Sequence, residues 1–275
     1  MWDNLRLGTR IDLHLHSNRS DGCHSTEEVL RRCSAGGLDI IALTDHDLAP
    51  DLRPGLHHID GRPLQVIAGA EISGCHEGRE YHLLVYFPGE VPEAFTRFCQ
   101  RQCQQRAARY ATAIQALGAS DIDGPDATAL KGGRALTRLH LARELVKTGR
   151  ASHVGDAFKR YLGEVHGHVP KLDIPLVEAI RFATECGGIT SWAHPTIADV
   201  DAHLPTLVAA GLTGIEALRP RVKSRDRGRL RKAAAATGIV LTGGSDWHGW
   251  AGQKVGLFAI TPPEIGGFVD LMRAA

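Results

Sequence analysis

The chain lacks a membrane span: no stretch of its 275 residues approaches the roughly 18 consecutive apolar positions needed to cross a bilayer, and the opening MWDNLRLGTR has no apolar signal core. A cytoplasmic protein is therefore expected. It also lacks a charge excess. With 32 Lys and Arg against 31 Asp and Glu, the formal net charge is +1, so no broad polyanion-binding surface is expected, and phosphate must be met by a few placed cations or metals. No CxxC pair occurs. Cys23, Cys33, Cys75, Cys99, Cys103 and Cys186 read as reduced thiols, mostly core filler, in a chain too long to need disulfide staples. GxSxG, the P-loop pattern, GxGxxG after a strand and HExxH are all missing, which removes the usual nucleophile-elbow, nucleotide-loop and zincin readings. There is no internal repeat and no low-complexity segment.

Histidine is the residue in surplus, at 15. Seven short apolar, β-branched runs can be marked: RIDLHLH, DIIALTDH, LQVIAGAEIS, YHLLVYF, GITSWAHP, GIEALRP and GIVLTGGSDWH. Most stop at Gly, Pro, Ser, Asp or His, as buried strands do on reaching a loop. Helical stretches lie between several of them; STEEVLRRCSAGG opens on a Ser or Thr cap, carries acids in its first turn and closes on glycine. Strand alternating with helix predicts an α/β fold around a parallel sheet, open or closed into a barrel. Residues 92–186 break the pattern with helical spacing and no strand. This predicts a helical insertion (lid) domain between two parts of the barrel, 1–91 and 187–275. His57 and His58 are expected on a helix surface or loop, and Arg143 and Lys147 on a solvated helix face pairing with Glu144.

In a strand, residues two apart share a face, so His14 and His16 point together. One His-x-His alone reads more readily as a pair of satisfied core histidines; the rest of the chain changes that reading. Asp21 follows in a polar turn, His46 ends the second run, Glu71 the third and His194 the fifth. His82 begins the fourth, and Asp246 and His248 end the seventh at the same spacing as the opening pair. In parallel α/β architectures, the C-terminal strand ends are where active sites are built. Burying so many ionisable groups together costs several kcal/mol each, about what bound cations offset, so a metal site is implied. Nine candidate ligands exceed the needs of one ion; two or three ions sharing a carboxylate fit better, and mixed N and O donors without thiolate point to Mn, Zn or Fe. Clustered metals suit phosphate-ester hydrolysis, with amide or ester hydrolysis as the competing use.

Taken in order, DLHLHS…SDG, ALTDHD, GAEIS, YHLLVY, AHP and GSDWH resemble the PHP (polymerase and histidinol phosphatase) superfamily over nearly the whole chain. The resemblance implies a distorted seven-stranded (β/α) barrel with three metals at its C-terminal face. One would be held by His14, His16, Glu71 and Asp246, a second by Asp21, His46 and His248, and a third by Glu71, His82 and His194. Glu71, His194 and Asp246 are expected at the chemistry, with hydroxide held between metals attacking phosphorus. Within the superfamily, LTRLHLARELVKTGRA resembles the branch that acts on nucleoside 3′,5′-bisphosphates or trims short RNA from its 5′ end. Arg138 and His140 match that branch's Arg-x-His, and Arg134 and Arg106 are further cations for phosphate. Two features depart from it: GEVHGHV stands where the branch carries Gly-Lys-x-Gly-Tyr-Val, and Cys103 stands where its first insertion helix carries Arg. The implied substrate is a small phosphorylated molecule, first a nucleoside 3′,5′-bisphosphate in a closed pocket. Alternatives are short 5′-phosphorylated RNA in an open groove, histidinol phosphate, or a non-catalytic PHP module.

Overall fold

The computed structural model describes residues 5–274; residues 1–4, part of the opening segment read above, and residue 275 lie outside the described residues. The first part of the chain forms β1 (Ile11–Leu15), α1 (Thr26–Ala35), β2 (Ile40–Leu43), β3 (Gly55–Ile59), β4 (Arg62–His76) and β5 (Arg79–Phe87). Helices follow: α2 (Glu93–Ala116), α3 (Ala127–Leu130), α4 (Arg138–Lys147), α5 (Val154–Ala157) and α6 (Leu176–Glu185). The chain then returns to the sheet through β6 (Ile189–Trp192), α7 (Ile197–Ala209), β7 (Gly214–Leu218), α8 (Ser224–Thr237), β8 (Val240–Gly243) and α9 (Gly266–Ala274).

All seven apolar runs become strands, in the order β1-β2-β4-β5-β6-β7-β8. The sheet curls into a half-barrel: Leu15 pairs with Trp247 beyond β8, and the His16 amide donates to the Trp247 carbonyl at 3.0 Å. Two expectations are corrected. The sheet is mixed, because β4–β5 and β5–β6 pair antiparallel. β4 and β5 form one long hairpin whose two-residue turn, Glu77–Gly78, takes positive φ at both positions (46° and 75°), matching the twist of the flanking strands. His57 and His58 lie in an extra strand, β3, antiparallel to β4. Asp60–Gly61 makes the same kind of turn there, at φ 50° and 78°. An Asp-Gly between two candidate strands was the legible signal for it.

Leu83, Val85, Trp192 and Ile215 pack beneath α6, α7 and α8 in the main core on one face of the sheet. Ile11, Leu13, Leu84 and Phe268 form a second core with α9. The packing of 92–186 is divided. Phe95 and Cys99 at the start of α2, and Leu176, Ala179 and Ile180 of α6, belong to the main core. Ala107, Tyr110 and Ile114 of α2 join Leu141, Leu145 and Leu162 in a core of their own. α2 is thus one rod shared by sheet and helical cluster, and Arg106 and Arg109 sit where it passes the rim. Among the described residues, no helix is long and apolar enough to cross a membrane.

Candidate metal centre

The nine residues singled out as candidate ligands converge on one end of the sheet. His14 is on β1 and His16 just beyond it, His46 follows β2, Glu71 is in β4 and His194 follows β6. His82 lies near the start of its strand, yet β5 runs antiparallel to β4, so its beginning is at the same end, opposite Ser73. Asp246 and His248 come after β8 has ended, on a loop that folds across β1. Gly244 permits this approach: a Cβ there would stand 2.3 Å from the His14 Cβ. Gly22 does the same for the Asp21 turn, since its Cβ would meet the His16 carbonyl at 2.5 Å. His194 and Asp246 hold positive φ (33° and 54°), a strain that the surrounding packing must impose.

Glu71, fully buried, lies at the middle. Its Oε2 is 3.3 Å from His14 Nε2, 3.3 Å from His16 Nε2 and 3.0 Å from His46 Nδ1, and its Oε1 is 3.0 Å from His82 Nδ1 and 3.1 Å from His194 Nε2. Asp246 Oδ1 stands 3.4 Å from His14 Nε2 and 3.2 Å from His16 Nε2. Asp21 stands 3.2 Å from His248 Nε2 and 3.5 Å from His46 Nε2. His14 Nε2, His16 Nε2, His46 Nδ1, Asp21 Oδ1 and Glu71 Oε2 are buried without a hydrogen-bond partner. Buried polar atoms almost always have partners, so orphans facing one another fit cations that would complete them. Three groups could each hold an ion: His16, Asp21, His46 and His248; His14, His16 and Asp246; and His46, Glu71 and His82. The electrostatics agree. Burial works against protonating His16, yet Asp246 and Glu71 push its pKa up to about 10. Burial likewise opposes charge on Glu71 and Asp246, but the histidines hold both carboxyls well below the usual range.

Sequence reasoning missed the carboxylates that hold these ligands. Glu216, fully buried in β7, accepts from His14 Nδ1 (2.8 Å) and from the His194 amide (2.8 Å), which leaves His14 Nε2 facing Glu71 and Asp246. Asp12 accepts the His14 and Ser245 amides at 3.2 and 2.8 Å, and burial raises its pKa to about 7. Asp45 accepts from the Ser17 amide and hydroxyl (2.8 and 2.6 Å) and from Ser20 (2.6 Å), fixing the turn that carries Asp21. An acid inside an apolar strand, as in GIEALRP, was the signal available. Asp45→Ala strands these buried donors and should lower stability by about 3 kcal/mol and metal affinity about 10- to 100-fold. Thermal unfolding and a metal titration check both; unchanged affinity would remove Asp45 from any part in placing Asp21.

The centre opens on two recesses. One, about 520 Å³, is lined by Asp21, His46 and His82 with Arg106, Arg109, Arg138, Arg143, Phe158 and Trp250. The other, about 660 Å³, is lined by His194, Asp246 and His248 with Arg219, Arg221, Lys254, Phe258 and Trp250. Arg106 is mostly engaged already: its Nε is 2.5 Å from Asp47 and its Nη2 2.6 Å from Ser73. Arg134 pairs with Asp126 at 3.0 Å, outside both linings. His140 Nδ1 accepts the Thr137 amide at 3.0 Å, capping α4; burial and Arg134 lower its pKa to about 4. Arg143 and Lys147 are both exposed, as expected of a solvated helix face, but the expected pairing is corrected for Arg143: Lys147 pairs with Glu144 (3.1 Å), whereas Arg143 turns to Cys23 Sγ (3.6 Å) at the recess. Cys103, in place of the branch's Arg, is buried and donates to the Arg134 carbonyl at 3.0 Å.

Residues 12–148 match the PHP domain. The chain is 32% identical over 250 residues to the phosphoribosyl 1,2-cyclic phosphate 1,2-diphosphodiesterase of Eggerthella lenta, covering 88% of this chain and 95% of that one. It is 31% identical over 247 residues to the 5′-3′ exoribonuclease Rnm of Escherichia coli (86% and 84% covered). It is 28% identical over 264 residues to the 3′,5′-nucleoside bisphosphate phosphatase of Chromobacterium violaceum (92% and 93% covered). Its fold superposes on a structure from C. violaceum, described as an amidohydrolase with bound sulfate and no metal, with TM-score 0.76 at 24% identity over 95% of this chain and 96% of that one.

Proposed function

This chain belongs to the PHP domain family and is a phosphoesterase; from that premise we propose that it is metal-dependent and hydrolyses the 3′-phosphate of nucleoside 3′,5′-bisphosphates. The observation that carries the reading is the set of orphaned buried donors around Glu71, beside a recess walled by arginines. His14, His16, Glu71 and Asp246 would hold one divalent ion, Asp21, His46 and His248 a second, and Glu71, His82 and His194 a third, with Mn, Zn or Fe suited to these donors. Such ions, when bound, neutralise phosphoryl charge and activate water near neutral pH.

The residues divide the remaining work. Among the nine, Asp246 and His194 have the most exposed side chains (40% and 33%), so these two meet the phosphoryl group, while Glu71 (1%) keeps the ligands in place. Arg138, with Arg143 at the recess wall, receives the 5′-phosphate. Burial disfavours the Arg109 and Glu80 charges alike, and they pair at 2.9 Å, so Arg109 is tied down beside His82 and is not free to grip phosphate. Residues 92–186 act as the substrate lid, Phe158 and Trp250 offering apolar surface for the nucleoside. The six free thiols suit a reducing, cytoplasmic compartment.

A second reading rests on the second recess. Cleaving the 3′-ester of a 5′-phosphorylated RNA expels the same 3′-oxygen and differs only in the further nucleoside carried by phosphorus. The recess with Arg219, Arg221 and Lys254 gives that nucleoside somewhere to lie, as a closed mononucleotide pocket would not.

The test is phosphate release by Mn²⁺-supplied protein from a nucleoside 3′,5′-bisphosphate, the 3′-monophosphate and 5′-AMP, alongside a 5′-phosphorylated oligoribonucleotide. The bisphosphate should be favoured over the 3′-monophosphate by at least about tenfold in kcat/KM. Arg138→Ala should erase that preference through KM, as expected for one lost charged contact worth about 1.5–3 kcal/mol. Equal rates with and without the 5′-phosphate overturn the substrate assignment, and no release from any ester overturns the reading whole. Degradation of the oligonucleotide that Lys254→Ala weakens, with bisphosphate hydrolysis untouched, would favour the second reading.

A further inference from the structure

Three side chains outside the centre also converge. His76 ends β4, Glu77 opens the hairpin turn and His203 projects from α7. Glu77 Oε2 is 3.8 Å from His203 Nδ1, the two imidazole rings are 5.0 Å apart and perpendicular, and a ligand atom from each of the three residues lies within 4.8 Å of the others. The Glu77–His203 separation is too long for a hydrogen bond. Yet His203 is mostly buried, its side chain 12% exposed, and Arg79, next along the hairpin after the turn, is already paired with Asp199 at 2.5 Å.

We propose that His76, Glu77 and His203 form a separate binding site for one zinc-type divalent ion. Two imidazoles and a carboxylate are a zinc ligand set, with water free to complete a tetrahedron. Zinc–ligand bonds of about 2.0 Å put two ligands of one ion roughly 3.3 Å apart, and Glu77, 71% exposed at the turn, is the side chain free to close the 3.8 Å separation from His203. The site uses none of the nine residues of the centre and does not rest on the function proposed above. Its effect is mechanical. The hairpin carries Glu71 and His82, while α7 starts just after the loop that carries His194, so an ion here clamps the hairpin to the helix that follows that loop.

Protein stripped with chelator, loaded with excess Zn²⁺ and desalted should hold one zinc more per chain than His203→Ala treated identically. Zinc should also slow amide hydrogen exchange in the 75–79 turn of the wild type and of Asp246→Ala, whose centre is damaged, but not of His203→Ala. Because His203 is largely buried, Glu77→Gln provides a variant at an exposed position that should keep its fold and still lose that zinc-dependent protection. Equal zinc content in wild type and His203→Ala, or protection that survives both substitutions, overturns the proposal.

Discussion

Glu71→Gln should lower kcat for phosphate-ester hydrolysis by about three orders of magnitude, roughly 4 kcal/mol of lost transition-state stabilisation, and release metal as well. The side chain keeps its size, so packing is not the cause. Both carboxylate oxygens face imidazoles: Oε2 those of His14, His16 and His46, Oε1 those of His82 and His194. An amide there cannot share negative charge between two sides, and its NH₂ turns a donor toward atoms that must themselves remain free to bind cations. Steady-state kinetics, elemental analysis and circular dichroism together check this. A folded Glu71→Gln protein with full metal content and activity within tenfold of wild type would overturn the bridging role proposed for Glu71.

Removing metal should abolish activity, and the difference in stability between metal-loaded and stripped protein should widen as pH rises. Without metal, His16 has its pKa pushed up to about 10 by Asp246 and Glu71 against burial. The stabilisation from that proton is fully present below the unfolded value of about 6.5 and is lost as pH rises toward 10. Metal needs the same nitrogen unprotonated. Binding at pH 7 therefore expels at least one proton per chain, and affinity climbs about tenfold per pH unit for each proton released. Calorimetry in two buffers of different ionisation enthalpy counts the protons. Thermal shifts from pH 6 to 9 follow the stability gap, to which ligand at 100 times its Kd adds about 2.7 kcal/mol. A gap that narrows with rising pH would contradict this charge arrangement.

How legible the molecule was depended on the range of the interactions involved. The strands could be read because a short apolar, β-branched run and its stop at a loop are local signals, and most of the seven runs carry both. Mixed strand direction could not be, since whether β5 returns beside β4 depends on a two-residue turn, Glu77–Gly78, whose meaning lies in the pairing it closes. The ligand residue types stood out because buried imidazoles and carboxylates are costly unless something neutralises them. The acids that hold those ligands did not. Glu216 in an apolar strand looks like any strand acid until β7 lies beside β1 and its carboxylate reaches His14 and the His194 amide at once.

The cations of the insertion divide the same way. Their number and rough position were plain in the sequence, but their partners were not. Asp47, far away in sequence, occupies Arg106; Asp126 occupies Arg134; Arg138 and Arg143 are left at the recess. By itself, then, the sequence determined the strand set, the cluster of nine candidate ligands and the family, because these follow from local pattern and from residue chemistry. Only the tertiary structure decided which strands pair antiparallel, which acids orient the histidines, which arginines line a recess, and that the centre opens on two recesses. Apart from the hairpin turn, each of those is settled by contact between residues distant in the chain, and a contact of that kind leaves no periodicity to read.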